Sequence, residues 1–148
     1  MTKQIPNALF FAQVEEEVAC GREVRIRLVG TSMRPWLKGG VDELVVAPCQ
    51  PDTLQLLDVV LFRYHGHHVL HRIVHISTDG YTLQGDGVWA SQEHCTEADI
   101  VGRVVCICRP SRSPLPVTAL SWRIRSRVWH ALRPFRRWLL RICRMLGY

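Results

Sequence analysis

Residues 58–76 read Asp58-Val59-Val60-Leu61-Phe62-Arg63-Tyr64-His65-Gly66-His67-His68-Val69-Leu70-His71-Arg72-Ile73-Val74-His75-Ile76. Two runs rich in β-branched and aromatic residues flank His65-Gly66-His67, which predicts strands over residues 58–64 and 69–76 joined by a tight turn. Outward from this hairpin the period of two recurs: Val24, Ile26 and Leu28 alternate with Arg25 and Arg27, and strand-like runs follow at residues 43–47, 81–84 and 100–108. Strands without intervening helices predict a mainly β, antiparallel body.

Helical patterns bracket that body. Asn7 is placed to cap a helix over residues 8–20, with Leu9, Phe10, Val14 and Val18 on one face, Glu15, Glu16 and Glu17 in solvent, and Gly21 as the stop. Beyond Arg109, Pro110, Pro114 and Pro116 with Ser111 and Ser113 read as a linker. A long amphipathic pattern follows. Leu120, Ile124, Val128, Ala131, Phe135, Leu139, Ile142 and Leu146 recur every three or four residues, while Arg125, Arg133, Arg136, Arg137, Arg141 and Arg144 fall mainly on the other side. Pro134 is expected to kink or divide this helix. The chain thus divides into an N-terminal helix (1–22), a β domain (23–108), a linker (109–117) and a basic helical tail (118–148).

A chain of 148 residues can bury one core without disulfides. Its hydrophobic share of 47% and charged share of 22% exclude disordered and collagenous classes. No apolar run reaches the roughly 18 residues of a membrane span, and the first seven residues lack the charged and apolar regions of a secretory signal. Cytoplasmic residence is therefore expected. Residues 109–148 hold ten Arg and no Asp, Glu or Lys, so the net +6 of the whole chain leaves the preceding 108 residues at −4. Six cysteines without a CxxC pair exclude a zinc ribbon and a thioredoxin motif; Cys106 and Cys108, two apart, are expected as buried reduced thiols. His67, His71 and His75 share a strand face but stand about 13 Å apart in succession, too far for one ion. No metal or other cofactor is expected.

The segment Gly30-Thr31-Ser32-Met33-Arg34-Pro35 follows a strand and precedes Gly39-Gly40. Four landmarks come after it in order: Leu57-Asp58-Val59-Val60-Leu61-Phe62, Val69-Leu70-His71-Arg72-Ile73-Val74, Gln84-Gly85-Asp86, and Ile100-Val101-Gly102-Arg103-Val104. Together, across residues 30–104, they resemble the signal peptidase and LexA-like serine peptidase superfamily. The resemblance implies that family's antiparallel β body, with Ser32 as nucleophile and its backbone N–H facing the oxyanion. His71 stands where bacterial signal peptidases and LexA-like proteins carry Lys, which is similar to the endoplasmic-reticulum-type and archaeal branch. The exchange matters chemically, because a Lys base must be lowered by several units from about 10.4, whereas imidazole starts near 6.5 and needs no deep burial to be neutral at pH 7.

Two departures from the family's pattern concern the base's partner and the oxyanion hole. The acidic pair of the His branch is replaced by Ser91 and Gln92, which leaves Asp86 as the first choice to orient His71 and Glu93 as the alternative. Gly30 stands where signal peptidases often place a hydroxyl. The expected activity is a serine endopeptidase acting on an extended peptide or precursor. Its alternatives are a catalytically silent peptide- or membrane-binding β domain, and a LexA-like self-cleaving regulator with Cys20-Gly21 as the scissile segment.

For the tail, ten Arg interleaved with Trp122, Trp129 and Trp138 suit an anionic membrane surface, an acidic protein groove or nucleic acid. A nucleic-acid arm needs charge but no regular apolar stripe. The stripe therefore favours a peripheral helix at a membrane surface over packing on protein, and both over nucleic acid.

Overall fold

The computed structural model describes residues 7–147; residues 1–6, Tyr148 and the Asn7 side chain expected as a cap lie outside the described residues. Helix α1 (Asn7–Ala19) precedes strands β1 (Val24–Arg27), β2 (Glu43–Ala47), β3 (Val59–Tyr64), β4 (His67–Ser77), β5 (Gly80–Gln84), β6 (Glu93–Cys95), β7 (Ile100–Cys108) and β8 (Leu115–Pro116). Helices α2 (Leu120–Ala131) and α3 (Arg136–Met145) follow, separated by a 3-10 turn over Arg133–Phe135 that holds Pro134. The division at Pro134 is thus where the sequence places it.

The strands form one antiparallel sheet in the order β1-β2-β7-β3-β4-β5-β6, with β8 added to β7. Its centre is the hairpin read from residues 58–76, β3 and β4 pairing Val59 with Arg72 through Tyr64 with His67. β3 is apolar along most of its length because both of its faces are buried. Val59 and Leu61 join a core with Val14, Val18, Met33, Leu44, Ile107 and Trp122, whereas Val60 and Phe62 join a second core with Leu54, Ile73, Tyr81, Leu83 and Cys95. The strand period of two distributes one run between two cores. Along β4 the same alternation sends His71, opposite Val60, and Arg72, opposite Val59, to different faces.

Several expectations need correction. On α1, Val14 and Val18 are buried but Leu9 is 60% exposed, and Phe11 instead stacks on the His68 ring. Glu15 is held by His68 and Arg63 rather than solvated, which fastens the helix to the β3–β4 hairpin. Strands β6 and β8 are too short to show a period, and β8 makes part of the 109–117 linker a sheet element, with Pro116 opposite Cys106 and Leu115 opposite Ile107. Cys106 and Cys108 flank the buried Ile107 on the opposite face and are only half-buried. Their thiols stand side by side, and partial burial together with Cys108 pushes the Cys106 thiol up. All six cysteines are free.

The tail shows the largest difference. Trp122, Ser126, Trp129, Arg136 and Leu140 are buried against the body, so α2 and α3 dock through a row the apolar periodicity does not single out. Arg136, expected on the solvent side, is 3% exposed, whereas Leu120, Ile124, Val128, Phe135, Ile142 and Leu146 all remain more than half exposed. No helix among the described residues is long and apolar enough to cross a membrane.

Candidate active site

Ser32 stands on a turn beyond β1, closed by the Arg34 N–H donating to the Thr31 carbonyl at 3.1 Å and the Leu37 N–H to Met33 at 3.1 Å. Buried Met33 and Leu37 anchor this turn in the core, leaving Ser32 half-buried. Gly30 has φ +87, and a Cβ on Gly39 would fall 2.1 Å from the Gly30 oxygen. That left-handed backbone explains the missing hydroxyl, since a Ser at position 30 would be strained. The Ser32 N–H donates to no acceptor among the described residues, so it is free to meet a developing negative charge.

The loop after β5 brings the other residues to this turn. The Gly87 N–H donates to the Ser32 carbonyl at 2.8 Å. A Cβ added to Gly85 would lie 2.3 Å from the Ser32 carbonyl oxygen and 3.0 Å from His71 Nε2. Ser32 and His71 are therefore neighbours across the space that glycine leaves open. No hydrogen bond joins Ser32 Oγ to His71 among the described residues.

His71 is buried, beyond what an imidazole base requires, and is 6% exposed. Its Nδ1 pairs with Glu93 Oε2 at 3.0 Å, and its ring lies 6.4 Å from that of Phe62. The sheet explains the pairing: Glu93 stands opposite Leu83 and Leu83 opposite Ile73, so Glu93 and His71 share the face of the second core. With Nδ1 occupied, Nε2 is the nitrogen turned to the Ser32 turn.

Asp86, the first choice from the sequence, does not reach His71. It is 1% exposed and takes Arg72 in a fork, Nε at 2.8 Å and Nη2 at 2.7 Å. Strand alternation is the cause. Arg72 leaves the opposite face of β4 and needs its own buried counter-charge, so one carboxylate cannot serve both residues.

The tail completes the Arg72 face. Arg72 Nη1 donates to Ser126 Oγ at 2.7 Å, and its guanidinium lies 5.3 Å from the Trp122 ring centroid. Trp129 Nε1 donates to the Asp86 carbonyl at 3.0 Å, and Arg136 Nη1 donates to Gln84 Oε1 at 3.2 Å. Ser126, Trp129 and Arg136 are the support residues that sequence reasoning missed. Their signal is the row Trp122, Ser126 and Trp129 at i+4 and i+3 spacing on α2, taken up seven residues later by Arg136 at the start of α3, which hydropathy assigns to solvent.

Of the four histidines of β4, His67 and His75 are exposed, His68 is half-buried and His71 is buried, and a register shift between Ile73 and His75 interrupts the alternation expected to put His75 on the face of His71. Among the described residues, no three His, Cys, Asp or Glu side chains converge on a point that could hold a metal ion. No protein-family model matches the chain, and no curated protein matches it.

Proposed function

We propose that this chain is a serine endopeptidase that cleaves an extended peptide, with Ser32 as nucleophile, His71 as general base and Glu93 as the carboxylate that orients it. The observation that carries the reading is the meeting at Gly85: His71 Nδ1 is tied to Glu93 and Nε2 faces the Ser32 turn. In this reading Ser32 Oγ attacks the peptide carbonyl as Nε2 takes its proton, and the Ser32 N–H stabilises the oxyanion. His71 returns the proton to the leaving amine, and water then releases the acyl group. Glu93 stabilises the imidazolium formed between those steps. β1 ends the sheet order and its chain runs into the Ser32 turn, so an extended substrate adds at this edge.

The test is cleavage of a panel of extended peptides by the purified full chain, followed by mass spectrometry. Ser32→Ala and His71→Ala should each abolish turnover with the thermal midpoint retained. Undiminished cleavage by either variant refutes the assignment. Peptide binding without turnover by the unaltered chain would instead make it the silent β domain. The self-cleaving alternative loses support from the structure, because Gly21 closes the end of α1 with its N–H on the Val18 carbonyl at 3.0 Å and Cys20-Gly21 is not extended.

We further propose that the outer face of α2 and α3 rests on an anionic membrane. Ile124 lies about two residues, or roughly 200°, around α2 from the buried Ser126, and Trp138 and Ile142 are related in the same way to Arg136 and Leu140 on α3. Both outward rows therefore face away from the body. Arg123, Arg125, Arg127, Arg137, Arg141 and Arg144 are exposed beside them, giving charge for headgroups and apolar surface for the interface. Cosedimentation of the full chain with vesicles should require anionic lipid, weaken with salt, and drop several-fold in Ile124→Glu/Trp138→Glu. Equal binding by that double variant, or binding to nucleic acid but not to vesicles, overturns the assignment.

A further inference from the structure

Between the loop of residues 85–92 and the α2–α3 junction lies a cleft of about 600 Å³, lined by Gln84, Trp89, Gln92, His130, Arg133 and Arg136 among others. It carries cationic and amide groups and no carboxylate. Arg136 is 3% exposed, yet all of its hydrogen bonds go to neutral oxygens: Gln84 Oε1 at 3.2 Å, the Val88 carbonyl at 3.4 Å and the Trp129 carbonyl at 3.3 Å. Its Nε and the His130 Nδ1 are buried without a partner. Both neighbouring acids are committed elsewhere, Asp86 to Arg72 and Glu93 to His71.

A buried guanidinium with no counter-charge and an unmade hydrogen bond is costly to the fold. Burial pulls the Arg136 guanidinium downward, and the nearby Arg133 and Arg72 add to this against the opposing effect of Asp86. Burial, then Arg133 and Arg136, likewise lowers His130. A planar, forked donor set of this kind matches the oxygens of a carboxylate or phosphate, which would supply both the acceptors and the charge that the cleft lacks.

We propose that this cleft is an oxyanion-binding site, in which a carboxylate or phosphate group is held between Arg133, Arg136 and His130. The assignment stands apart from the peptidase reading, and Ser32→Ala should bind the anion as the unaltered chain does.

Trp89 lines the cleft and makes tryptophan fluorescence of the full chain the readout, with Trp89→Phe identifying the signal. The probes are inorganic phosphate, acetate, and one peptide in free-acid and C-terminally amidated forms, each matched with chloride at equal ionic strength. A saturable change with phosphate, acetate or the free-acid peptide, weakened at least tenfold in Arg133→Gln and in Arg136→Gln, supports the site. Should Arg136→Gln fail to fold, Arg133→Gln and His130→Gln, both at half-buried positions, carry the comparison. Preference for phosphate identifies a free anion as the occupant, and preference for the free-acid over the amidated peptide identifies a chain terminus. A change that chloride reproduces, undiminished binding by the variants, or no saturable change with any probe overturns the proposal.

Discussion

At Gly85 the separation between the Ser32 turn and His71 is set by the absence of a side chain, since a single methyl there would meet both at 2.3 and 3.0 Å. Gly85→Ala should therefore drive the turn and the ring apart and remove turnover, with 1H chemical shifts of the His71 ring reporting the displacement. The two neighbouring carboxylates should separate by phenotype. Glu93→Gln should lower turnover by roughly 10³–10⁴-fold with little change in thermal midpoint. Asp86→Asn leaves Arg72 buried without its counter-charge and with one of its two carboxylate acceptors replaced by an amide N–H₂, and should cost about 3–5 kcal/mol of stability, read by denaturant unfolding. If Asp86→Asn instead spares stability and lowers turnover alone, the division between the two acids is wrong. The sequence carries the serine, the histidine and both acids as candidates. It does not rank the acids, because that ranking depends on which face of β4 each one meets, and Glu93 begins a strand only three residues long.

Elements are legible where their period is long enough to count. β3, β4 and β7 can be read directly, and so can the break at Pro134. β6 and β8 cannot, because three residues and two residues hold no alternation. The tail is legible as helix but not as to which face packs. Hydropathy points to Leu120, Ile124 and Val128, whereas the docked row includes Ser126, which accepts from Arg72, and Arg136, which donates to Gln84 and to the Trp129 carbonyl. The tail is accordingly a structural part of the β body. Trp122, 4% exposed in the first core, should cost about 3–5 kcal/mol when replaced by Ala, measured by denaturant unfolding. A loss below about 1 kcal/mol would show that the helix rests on the body without supporting it.

Across the whole molecule the charge division between a mildly acidic body and a basic tail survives folding, but the boundary is not one between separate units. Buried Arg72, Asp86 and Arg136, with half-buried His130 beside them, form an electrostatic region that draws on both. His130 supplies its pH signature: its folded-state value lies below the usual imidazole value of 6.5, chiefly through burial and then through Arg133. The unfolded chain therefore binds a proton that the folded chain resists. This contribution leaves stability untouched above about pH 6.5, and takes it away as pH falls below that value until the folded form also protonates. The thermal midpoint should fall more between pH 7 and 5 in the unaltered protein than in His130→Gln. Parallel curves would place the proton elsewhere.

The clamp on Arg72 also has an order in time. Residues 32, 71, 86 and 93 leave the ribosome before residues 122, 126, 129 and 136, so a nascent chain can assemble the hairpin and the Gly85 loop while the Arg72–Asp86 pair still lies open to water. Ser126, Trp129 and Trp122 close over that pair only afterwards. During synthesis the Arg72–Asp86 pair is thus only half-covered, and the proposed site would gain its full support when α2 and α3 dock rather than when residues 32, 71 and 93 emerge.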